Sequence, residues 1–463
     1  MIGGTAPQSS ASDAQGVAID TDVSRRSALT LLAAGAAGWA LWPYAPRSRR
    51  DIPKGRKVVT YWEKWTGPEG DAIQQVVDDF NASQSRLWVH RVPVNDQDSK
   101  ALVAIGGGDP PDIAGLYSYS VPQYAETGAA IPLADLGLKP DPSAYAPGVW
   151  QMLTHQGRQW AGVNTCYTIA LYYNRSHFRE AGLDPDKPPR TIDEFNDAAQ
   201  RLTIKGPAGE ITRAGFVHTL PWWWPYMWPS LFGADLYDSA TNRSLFDSPA
   251  CVRAFEWIGS WPTRMGREAL ATYISAFGRS FNGAEDPFLT GRVSMVATGP
   301  WIANFARTYA PTLDYAAVAV PVSSEIFDAA RPIGLLECDV LMIPRGSPNP
   351  EAAMEFLLYT QQPRVQEQLA TAHCKSSPMT AVSPAFMSSH PNRAVAVHDQ
   401  IAKSSRAVVL PRCRSWKQYA ILTQRAFDNV WLGANAKAEL TAVNSRVQSL
   451  LDREADLRQR RGA

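Results

Sequence analysis

The stretch VVTYWEKWTGPEGDAIQQVVDDFNASQSRLWVHRV, residues 58–92, decides the fold class. Its first five residues form an apolar run typical of a buried strand. Ile73, Val76 and Phe80 then recur at the spacing of one helix face. The segment LWVHRV, residues 87–92, returns to a strand pattern. A strand–helix–strand unit joins parallel strands, because the helix carries the chain back across the sheet. The stretch therefore predicts an α/β fold with parallel-type sheets flanked by helices.

The same alternation of strands and helices continues along the chain. Thr191 has Glu194 three residues later, which is the pattern of a capping box at the start of a helix. Asn349 followed by Pro350 is typical of another helix start. Further predicted strands are IALYYN (169–174), VSMVATG (293–299) and YAAVAVPV (315–322), and further predicted helices are DSKALVAI (98–105), HFREAGL (177–183) and the region from about 417 onward. Over 463 residues this alternation predicts more than one α/β domain.

The composition is that of a globular protein with a large core. Hydrophobic residues make up 45% of the chain and charged residues 19%, which excludes a disordered chain. The formal net charge is +1, so no global field favours nucleic acid, and no nucleic-acid partner is expected. The chain has 16 Trp, an unusually high number, which suggests that some of them have a role other than packing.

The N-terminal segment carries the pattern of an export signal. In SRRSALTLLAAGAAGWALW, residues 24–42, an Arg pair precedes a charge-free run rich in Ala and Leu, as in twin-arginine signals. The alternative is a short, uncleaved membrane anchor, although the run falls slightly short of a spanning helix. A basic, proline-containing tether follows. We assign residues 1–56 to signal and tether, and expect an exported protein, periplasmic or extracellular, whose mature part begins near Lys57.

The cysteines are scattered and form no C-x-x-C pair. They are Cys166, Cys251, Cys338, Cys374 and Cys413. We expect small buried side chains with at most one or two disulfides, and at least one free thiol because five is an odd number. No His stands at metal-ligand spacing, so no metal site is expected.

Motifs of the common enzyme classes are missing from the sequence. It contains no H-E-x-x-H, G-x-S-x-G, P-loop or G-x-G-x-x-G pattern. The pairs Asp78/Asp79 and Asp184/Asp186 lie in helix-surface or turn contexts, which favours solvated charges over glycosidase chemistry. We expect no catalytic residue and no cofactor, and keep a secreted carbohydrate-active hydrolase as an alternative.

Several stretches resemble the extracellular solute-binding proteins of ABC importers, in the branch of maltose-, other sugar- and glycerol-phosphate-binding proteins. In family order they are VVTYWEKWTGPEGDAIQQVVDDFNAS, GGGDPPDIAGLYSYSVPQYAETGAAIPL, LYYNRSHFREAGLDPDKPPRTIDEF, FLTGRVSMVATGPWIANF and LMIPRGSPNPEAAMEFLLYTQQPRVQEQLA, within roughly residues 57–435. The resemblance implies a type II periplasmic binding protein fold, with two α/β lobes and a ligand cleft between them that closes by a hinge. It also implies ABC permease subunits as partners of a monomeric receptor.

This resemblance divides the chain into two lobes. Lobe 1 comprises residues 57–165 and 335–385, lobe 2 comprises residues 166–334 and 386–455, and residues 456–463 form a charged tail. The hinge is expected near Thr165–Tyr167 and Gly334–Glu337.

The resemblance also carries over ligand contacts, position by position. Relatives have a carboxylate where this chain has Tyr167, and they more often show Gly-Gly within its stretch GLLE, which leaves the ligand's identity open. The stacking aromatic residue of the family falls on Trp301. The other contacts implied by the resemblance are Glu63, Trp65, Ser118, Tyr119, Gly334, Glu337 and Ser376.

The stretch PWWWPYMWPSLFG, residues 221–233, falls where the maltose branch has an aromatic subsite. A sugar ring packs its face of C–H groups on an indole, while its hydroxyls bond polar side chains. Neighbouring rings point in different directions, so at least one of Trp222, Trp223 and Trp224 is expected in the cleft and the others in the core. Trp223, Trp224 and Tyr226 are the predicted contacts from this stretch.

A small carbohydrate or polyol is therefore the expected ligand, with mono- and oligosaccharides both open. The same fold also binds glycerol phosphate or related phosphodiesters, which is the other alternative for the ligand. A phosphate would need a cation, and Lys64, Lys375 and Arg412 are available nearby in the sequence.

Overall fold

Strands and helices alternate along the chain as the apolar patterns predict. The computed structural model describes residues 52–221, 224–277 and 281–462, so the predicted export segment 24–42 lies outside the described ranges. The strands are β1 (Lys57–Glu63), β2 (Leu87–Pro93), β3 (Ile113–Tyr117), β4 (Thr154–His155), β5 (Arg158–Gln159), β6 (Ala161–Thr168), β7 (Ala170–Asn174), β8 (Ile204–Lys205), β9 (Ile211–Arg213), β10 (Tyr237–Asp238), β11 (Arg243–Ser244), β12 (Met295–Thr298), β13 (Tyr315–Ala319), β14 (Gly334–Met342) and β15 (Ala407–Val408).

Helices cover the strands. They are α1 (Gly67–Ser83), α2 (Gln97–Gly106), α3 (Val121–Thr127), α4 (Pro147–Leu153), α5 (Arg175–Glu180), α6 (Ile192–Leu202), α7 (Pro249–Met265), α8 (Arg267–Ser275), α9 (Ile302–Tyr309), α10 (Pro350–Thr360), α11 (Pro363–Ala372), α12 (Pro384–Ser389), α13 (Val395–Lys403), α14 (Trp416–Trp431) and α15 (Ala436–Gly462). Short 3-10 turns occur at Ser118–Ser120, Leu133–Leu136, Pro142–Ala144, Trp228–Phe232 and Ser324–Ile326. Among the described helices, none combines the length and the apolar character that crossing a membrane requires.

The helix starts confirm the predictions made from capping residues. Thr191 accepts a hydrogen bond from the backbone of Glu194, and the Glu194 side chain accepts one in return, so helix α6 begins with a capping box. Helix α10 begins at Pro350 after Asn349, as predicted. The Asn349 amide donates to the carbonyl of Val58 in β1 instead of capping the helix.

The opening stretch forms the parallel unit that its pattern predicts. Strand β1 pairs in parallel with both β2 and β3. Helix α1 buries Ile73, Val76 and Phe80 in the core that also contains Val59 and Leu87 of this sheet. The sheet order is β15-β14-β3-β1-β2, with β6 also paired to β14. Strand β14 is antiparallel to β3 and β6, so the sheet is mixed.

A second sheet has the order β12-β7-β13. Both of its pairings are antiparallel, in contrast to the parallel-type sheets that the sequence predicts. An apolar run indicates a buried strand but does not show whether the neighbouring strand is parallel or antiparallel. The sequence therefore could not predict the direction of these pairings. The α/β fold class itself is confirmed.

Two crossing strands, β6 and β14, connect the cores of the two sheets. Cys166 and Leu336 pack in a core on the main sheet, whereas Ile169 and Leu335 pack in the core around β7. The two cores therefore meet at the end of β6 and at the start of β14, next to the positions where the hinge is predicted. The lobe boundaries and the hinge stay predictions.

All five cysteines are buried and free. The expected buried thiols are confirmed, and none of the disulfides that the sequence left open is formed. Burial raises the pKa of the Cys166 thiol to about 12, which keeps it protonated and unreactive at neutral pH.

Candidate functional site

The candidate site lies where the carboxyl ends of β1 and β3 meet the crossing strands. Because β1 and β3 are parallel, the residues that follow them emerge at the same edge of the sheet. Lys64 and Trp65 follow β1, and Ser118 and Tyr119 follow β3. All of these except Ser118 line a cavity of about 390 Å³, together with Tyr117 at the end of β3. The structure therefore brings the predicted contacts from these two loops together.

A charged cluster of Lys64, Asp339 and Lys375, named the Asp339 cluster, lies beside this cavity. The Nζ of Lys64 lies 2.5 Å from Oδ1 of Asp339, and the Nζ of Lys375 lies 3.7 Å from Oδ2. Thr165 of β6 donates a hydrogen bond to Oδ2 at 2.8 Å. Burial by itself raises the pKa of Asp339, but the two ammonium groups outweigh it and hold the pKa below 3.8. Asp339 is therefore ionised and neutralises buried positive charge.

Lys375 is fully buried and joins several elements. Its Nζ donates to Oγ1 of Thr165 at 3.2 Å and lies 3.7 Å from Oε1 of Glu69 in helix α1. It also lies 4.3 Å from the ring centroid of Trp65, in a cation–π contact. The lysine holds the Trp65 ring in place, while its charge is shared between two carboxylates.

Glu63, a predicted contact, is fully buried at the end of β1. Its Oε2 accepts hydrogen bonds from the Tyr61 hydroxyl at 2.5 Å and the Asn164 amide at 2.9 Å. Its Oε1 accepts one from the backbone N–H of Lys64 at 2.7 Å. Both oxygens are thus occupied by the protein, and burial raises the pKa of Glu63 above its ordinary value. A direct contact of Glu63 with a ligand stays a prediction.

Glu337 on β14 has one occupied and one unoccupied carboxylate oxygen. Its Oε1 accepts hydrogen bonds from the hydroxyl of Ser118 and from the backbone N–H of Cys338. Its Oε2 is buried and has no hydrogen-bond partner in the described part of the chain. Burial raises the pKa of Glu337 to about 7. Glu337 stands opposite Tyr167 in the β6–β14 pairing, so the two side chains share one face of the sheet.

Aromatic rings line the same region. Tyr167 meets Trp301 edge to face at 5.3 Å, and Tyr117 stacks on Tyr119 at 5.2 Å between ring centroids. Both pairs are half-buried. Gly299 leaves room for the Trp301 ring, because a Cβ at that position would lie only 2.1 Å from its Cζ3. These rings offer flat, partly apolar faces beside the Asp339 cluster.

The described tryptophans of the stretch 221–233 lie in the core around β7. Trp228 is buried in the core around β7, and Trp224 is also buried, with its indole N–H donating to the carbonyl of Ala297 at 3.1 Å. Tyr226 is half-buried and meets Trp416 edge to face at 5.7 Å. Trp222 and Trp223 lie outside the described residues. The ligand roles predicted for Trp223, Trp224 and Tyr226 stay predictions.

Two predicted contacts are buried in packing positions. A Cβ on Gly334 would lie 2.7 Å from Cγ2 of Ile401, so this glycine allows helix α13 to approach β14. Ser376 is fully buried, and its carbonyl oxygen accepts a hydrogen bond from the Cys166 thiol at 3.4 Å. Both residues adjoin the crossing strands, and a ligand contact for either stays a prediction.

Several residues near the site were not predicted as ligand contacts from the sequence, although Thr165 was named as part of the hinge. They are Thr165, Asp339, Tyr117, Trp416 and Lys417, the last of which lines the same cavity as Trp65. Asp339 stands two residues after Glu337, and residues two apart on a strand point to the same face of the sheet. The strand pattern could therefore have predicted that Asp339 lies beside the predicted contact Glu337. The other four carry no signal beyond their residue type.

No group of three His, Cys, Asp or Glu side chains that could hold a metal ion occurs in the ranges that the structure describes.

Comparison with known proteins gives one match to a family model. The model described as bacterial extracellular solute-binding protein matches residues 64–367. This segment contains the loop after β1, the crossing strands and Trp301.

The individual relatives have low sequence identity to this chain. The chain is 28% identical over 176 residues to the sn-glycerol-3-phosphate-binding periplasmic protein of Brucella abortus (strain 2308), covering 36% of this chain and 39% of that protein. It therefore spans about two fifths of the length of the first curated relatives. It is 22% identical over 323 residues to the maltotriose-binding protein of Pyrococcus abyssi, covering 68% of this chain and 65% of that one.

A solved structure shows the same fold. The protein CpMnBP1 with mannotriose bound superposes with a TM-score of 0.74 at 24% identity, covering 85% of this chain and 100% of that chain. The predicted two-lobed fold is thus confirmed.

Proposed function

Because this chain belongs to the family of bacterial extracellular solute-binding proteins, we propose that it captures a neutral sugar or sugar-like polyol and delivers it to the permease of an ABC importer. The family makes it an exported protein. Export by a twin-arginine signal, with or without a retained anchor, and a monomeric state are parts of the proposal. The observation that carries it is the candidate site, where half-buried aromatic rings surround buried polar groups whose charges are largely paired.

The aromatic rings fit the chemistry of a sugar. Trp301, Tyr167, Tyr119 and Trp65 are half-buried, so each keeps surface that a ligand can cover. A pyranose offers C–H groups on its face for such rings and hydroxyls on its rim for polar side chains. The names of the maltotriose-binding relative and of the mannotriose-bound structure support this ligand class.

The three candidate cations fit a phosphate less well. Lys64 and Lys375 both contact Asp339, and Lys375 also lies near Glu69. Arg412 donates its hydrogen bonds to backbone carbonyls and lines a different cavity. A phosphate would have to displace a buried carboxylate from its partner, which costs free energy. Glycerol phosphate is therefore the second candidate, favoured by the 28% identity to the Brucella protein.

A receptor returns its ligand unchanged, whereas a hydrolase does not. We propose a receptor, so a screen of neutral mono- and oligosaccharides should contain one that raises the melting temperature of the protein. After overnight incubation, that saccharide should be recovered intact by chromatography. Cleavage products that grow with protein concentration would instead establish the carbohydrate-active hydrolase.

Capture is proposed to occur by closure of the two lobes on the crossing strands. Closed-state contacts from both sides give the ligand its preference for the closed form. Small-angle scattering should show a smaller radius of gyration with saturating saccharide than without it. Identical profiles at saturation would count against closure.

Trp301→Ala is expected to weaken saccharide binding about 30-fold, or ~2 kcal/mol. The ring is half-buried and packs on Tyr167, so its loss removes a flat surface from the site. Calorimetric titration measures the affinity, and urea unfolding measures stability. Trp88→Ala is the matched control, because Trp88 is also half-buried but packs under Arg56 on β2. An unchanged affinity together with a large stability loss would make Trp301 a core residue.

A further inference from the structure

A second cavity, of about 730 Å³, is lined in part by Tyr226, one of the predicted ligand contacts. Its walls include Thr154 and His155 after helix α4, the loop 233–237, the segment 405–412 around β15, and Arg458 of helix α15. It shares no lining residue with the cavity that Trp65 and Tyr119 line. At this volume it could hold a small organic molecule rather than a few waters only.

The lining of the second cavity is rich in arginine. Arg406, Arg412 and Arg458 line it, while Asp235 is its carboxylate. Arg458 is paired with Glu126 at 3.7 Å. Arg406 and Arg412 have no carboxylate within ion-pair distance among the described residues. Two guanidinium groups of this cavity are therefore left without a contacting counter-ion.

These two arginines donate to backbone oxygens. Arg406 donates to the carbonyl of Ile326 at 2.9 Å. Arg412 donates to the carbonyls of Ser118 at 2.7 Å, Met152 at 3.0 Å and Thr154 at 2.9 Å. These carbonyl groups hold the guanidinium planes in place, but they are neutral acceptors, and neither arginine contacts a carboxylate of the described residues.

Burial of the Arg412 guanidinium group is energetically unfavourable. Its Nε is buried and has no acceptor in the described part of the chain. Burial lowers the pKa of Arg412 to about 10, because a cation removed from water is destabilised. An anion in the cavity would restore the lost solvation and supply the missing counter-charge.

We propose that the second cavity binds a small organic or inorganic anion bearing carboxylate or phosphate groups, held by Arg406 and Arg412. Guanidinium groups bind both kinds of oxyanion through paired, charge-assisted hydrogen bonds. Neither arginine lines the cavity that Trp65 and Tyr119 line, so anion binding here can be measured separately from saccharide binding.

Calorimetric titration with citrate and with inorganic phosphate tests this site, with sodium chloride keeping the ionic strength constant. We expect saturable binding of at least one anion, and the stronger of the two identifies the carboxylate or the phosphate class. Arg406→Gln and Arg412→Gln should each raise the dissociation constant at least 10-fold. Arg179→Gln is the control, because Arg179 is exposed and pairs with Asp314 outside the cavity.

Two results would overturn the proposal. One is the absence of saturable binding of either anion to the wild-type protein. The other is a dissociation constant that is the same in Arg406→Gln as in Arg179→Gln. If Arg412→Gln does not fold because its three carbonyl contacts are lost, Arg406→Gln decides the question alone.

Discussion

Replacing Asp339 by alanine is expected to lower the free energy of unfolding by about 3–5 kcal/mol, the usual cost of removing one partner from a buried ion pair. The carboxylate is 1% exposed and contacts both Lys64 and Lys375. Without it, two ammonium groups lie close together in a buried site with only Glu63 and Glu69 nearby. Urea unfolding at pH 7 measures the loss.

The matched control for Asp339 is an exposed aspartate. Asp314 pairs with Arg179 at the surface, so Asp314→Ala should leave the free energy of unfolding nearly unchanged.

The ion pairs of Asp339 with Lys64 and Lys375 also make its contribution to stability depend on pH. Its pKa in the folded protein lies below 3.8, so its stabilisation is present above that pH and is lost as the pH falls through the folded-state pKa. A stable Asp339→Ala protein would show that the cluster does not hold the site together.

Ionisation of Glu337 is expected to destabilise the folded protein, whereas ionisation of Asp339 stabilises it. The pKa of Glu337 is about 7 in the folded protein against 4.5 as its ordinary value, so the folded state holds the proton more tightly. Stability should therefore fall as the pH rises from 4.5 to 7 and should level off above 7. The full difference is about 3.5 kcal/mol, since each pKa unit corresponds to about 1.4 kcal/mol.

Glu337→Gln should remove this slope, because glutamine stays neutral and can still accept hydrogen bonds from Ser118 and Cys338. The measurement is the free energy of unfolding between pH 4.5 and 8 for both proteins, and the difference between the two curves isolates Glu337 from the other titrating groups. Glu355→Gln, at an exposed ion pair with Arg86, is the control. Parallel curves for wild type and Glu337→Gln would show that Glu337 titrates normally in the folded protein.

The first α/β unit could be predicted because its periodicity records burial directly. Ile73, Val76 and Phe80 face the core at the spacing that a helix requires, and Thr191 and Glu194 make the cap that their spacing predicts. The direction of β12 and β13 could not be predicted, because an apolar run does not show whether the neighbouring strand is parallel or antiparallel.

The site could be predicted only in part. The loops after β1 and β3 were found because the family pattern marks them. Asp339 was missed because its strand reads as hydrophobic apart from Glu337, and its partner Lys64 is 275 residues away in sequence. Trp416 was missed as a neighbour of Tyr226, since nothing local links a helix start to a distant loop. Long-range pairing of this kind is set by tertiary packing.

The most direct test of the proposed function is a calorimetric titration of the protein with neutral oligosaccharides and, separately, with sn-glycerol 3-phosphate. Mannotriose and maltotriose are the first saccharides to test, because the similar proteins bind them. The paired lysines and the aromatic lining predict saturable binding of a neutral saccharide at the candidate site. Any heat from glycerol phosphate is expected to come from the second cavity alone, so it should be lost in Arg406→Gln. Saturable binding of glycerol phosphate, with no heat from any neutral saccharide, would contradict this account.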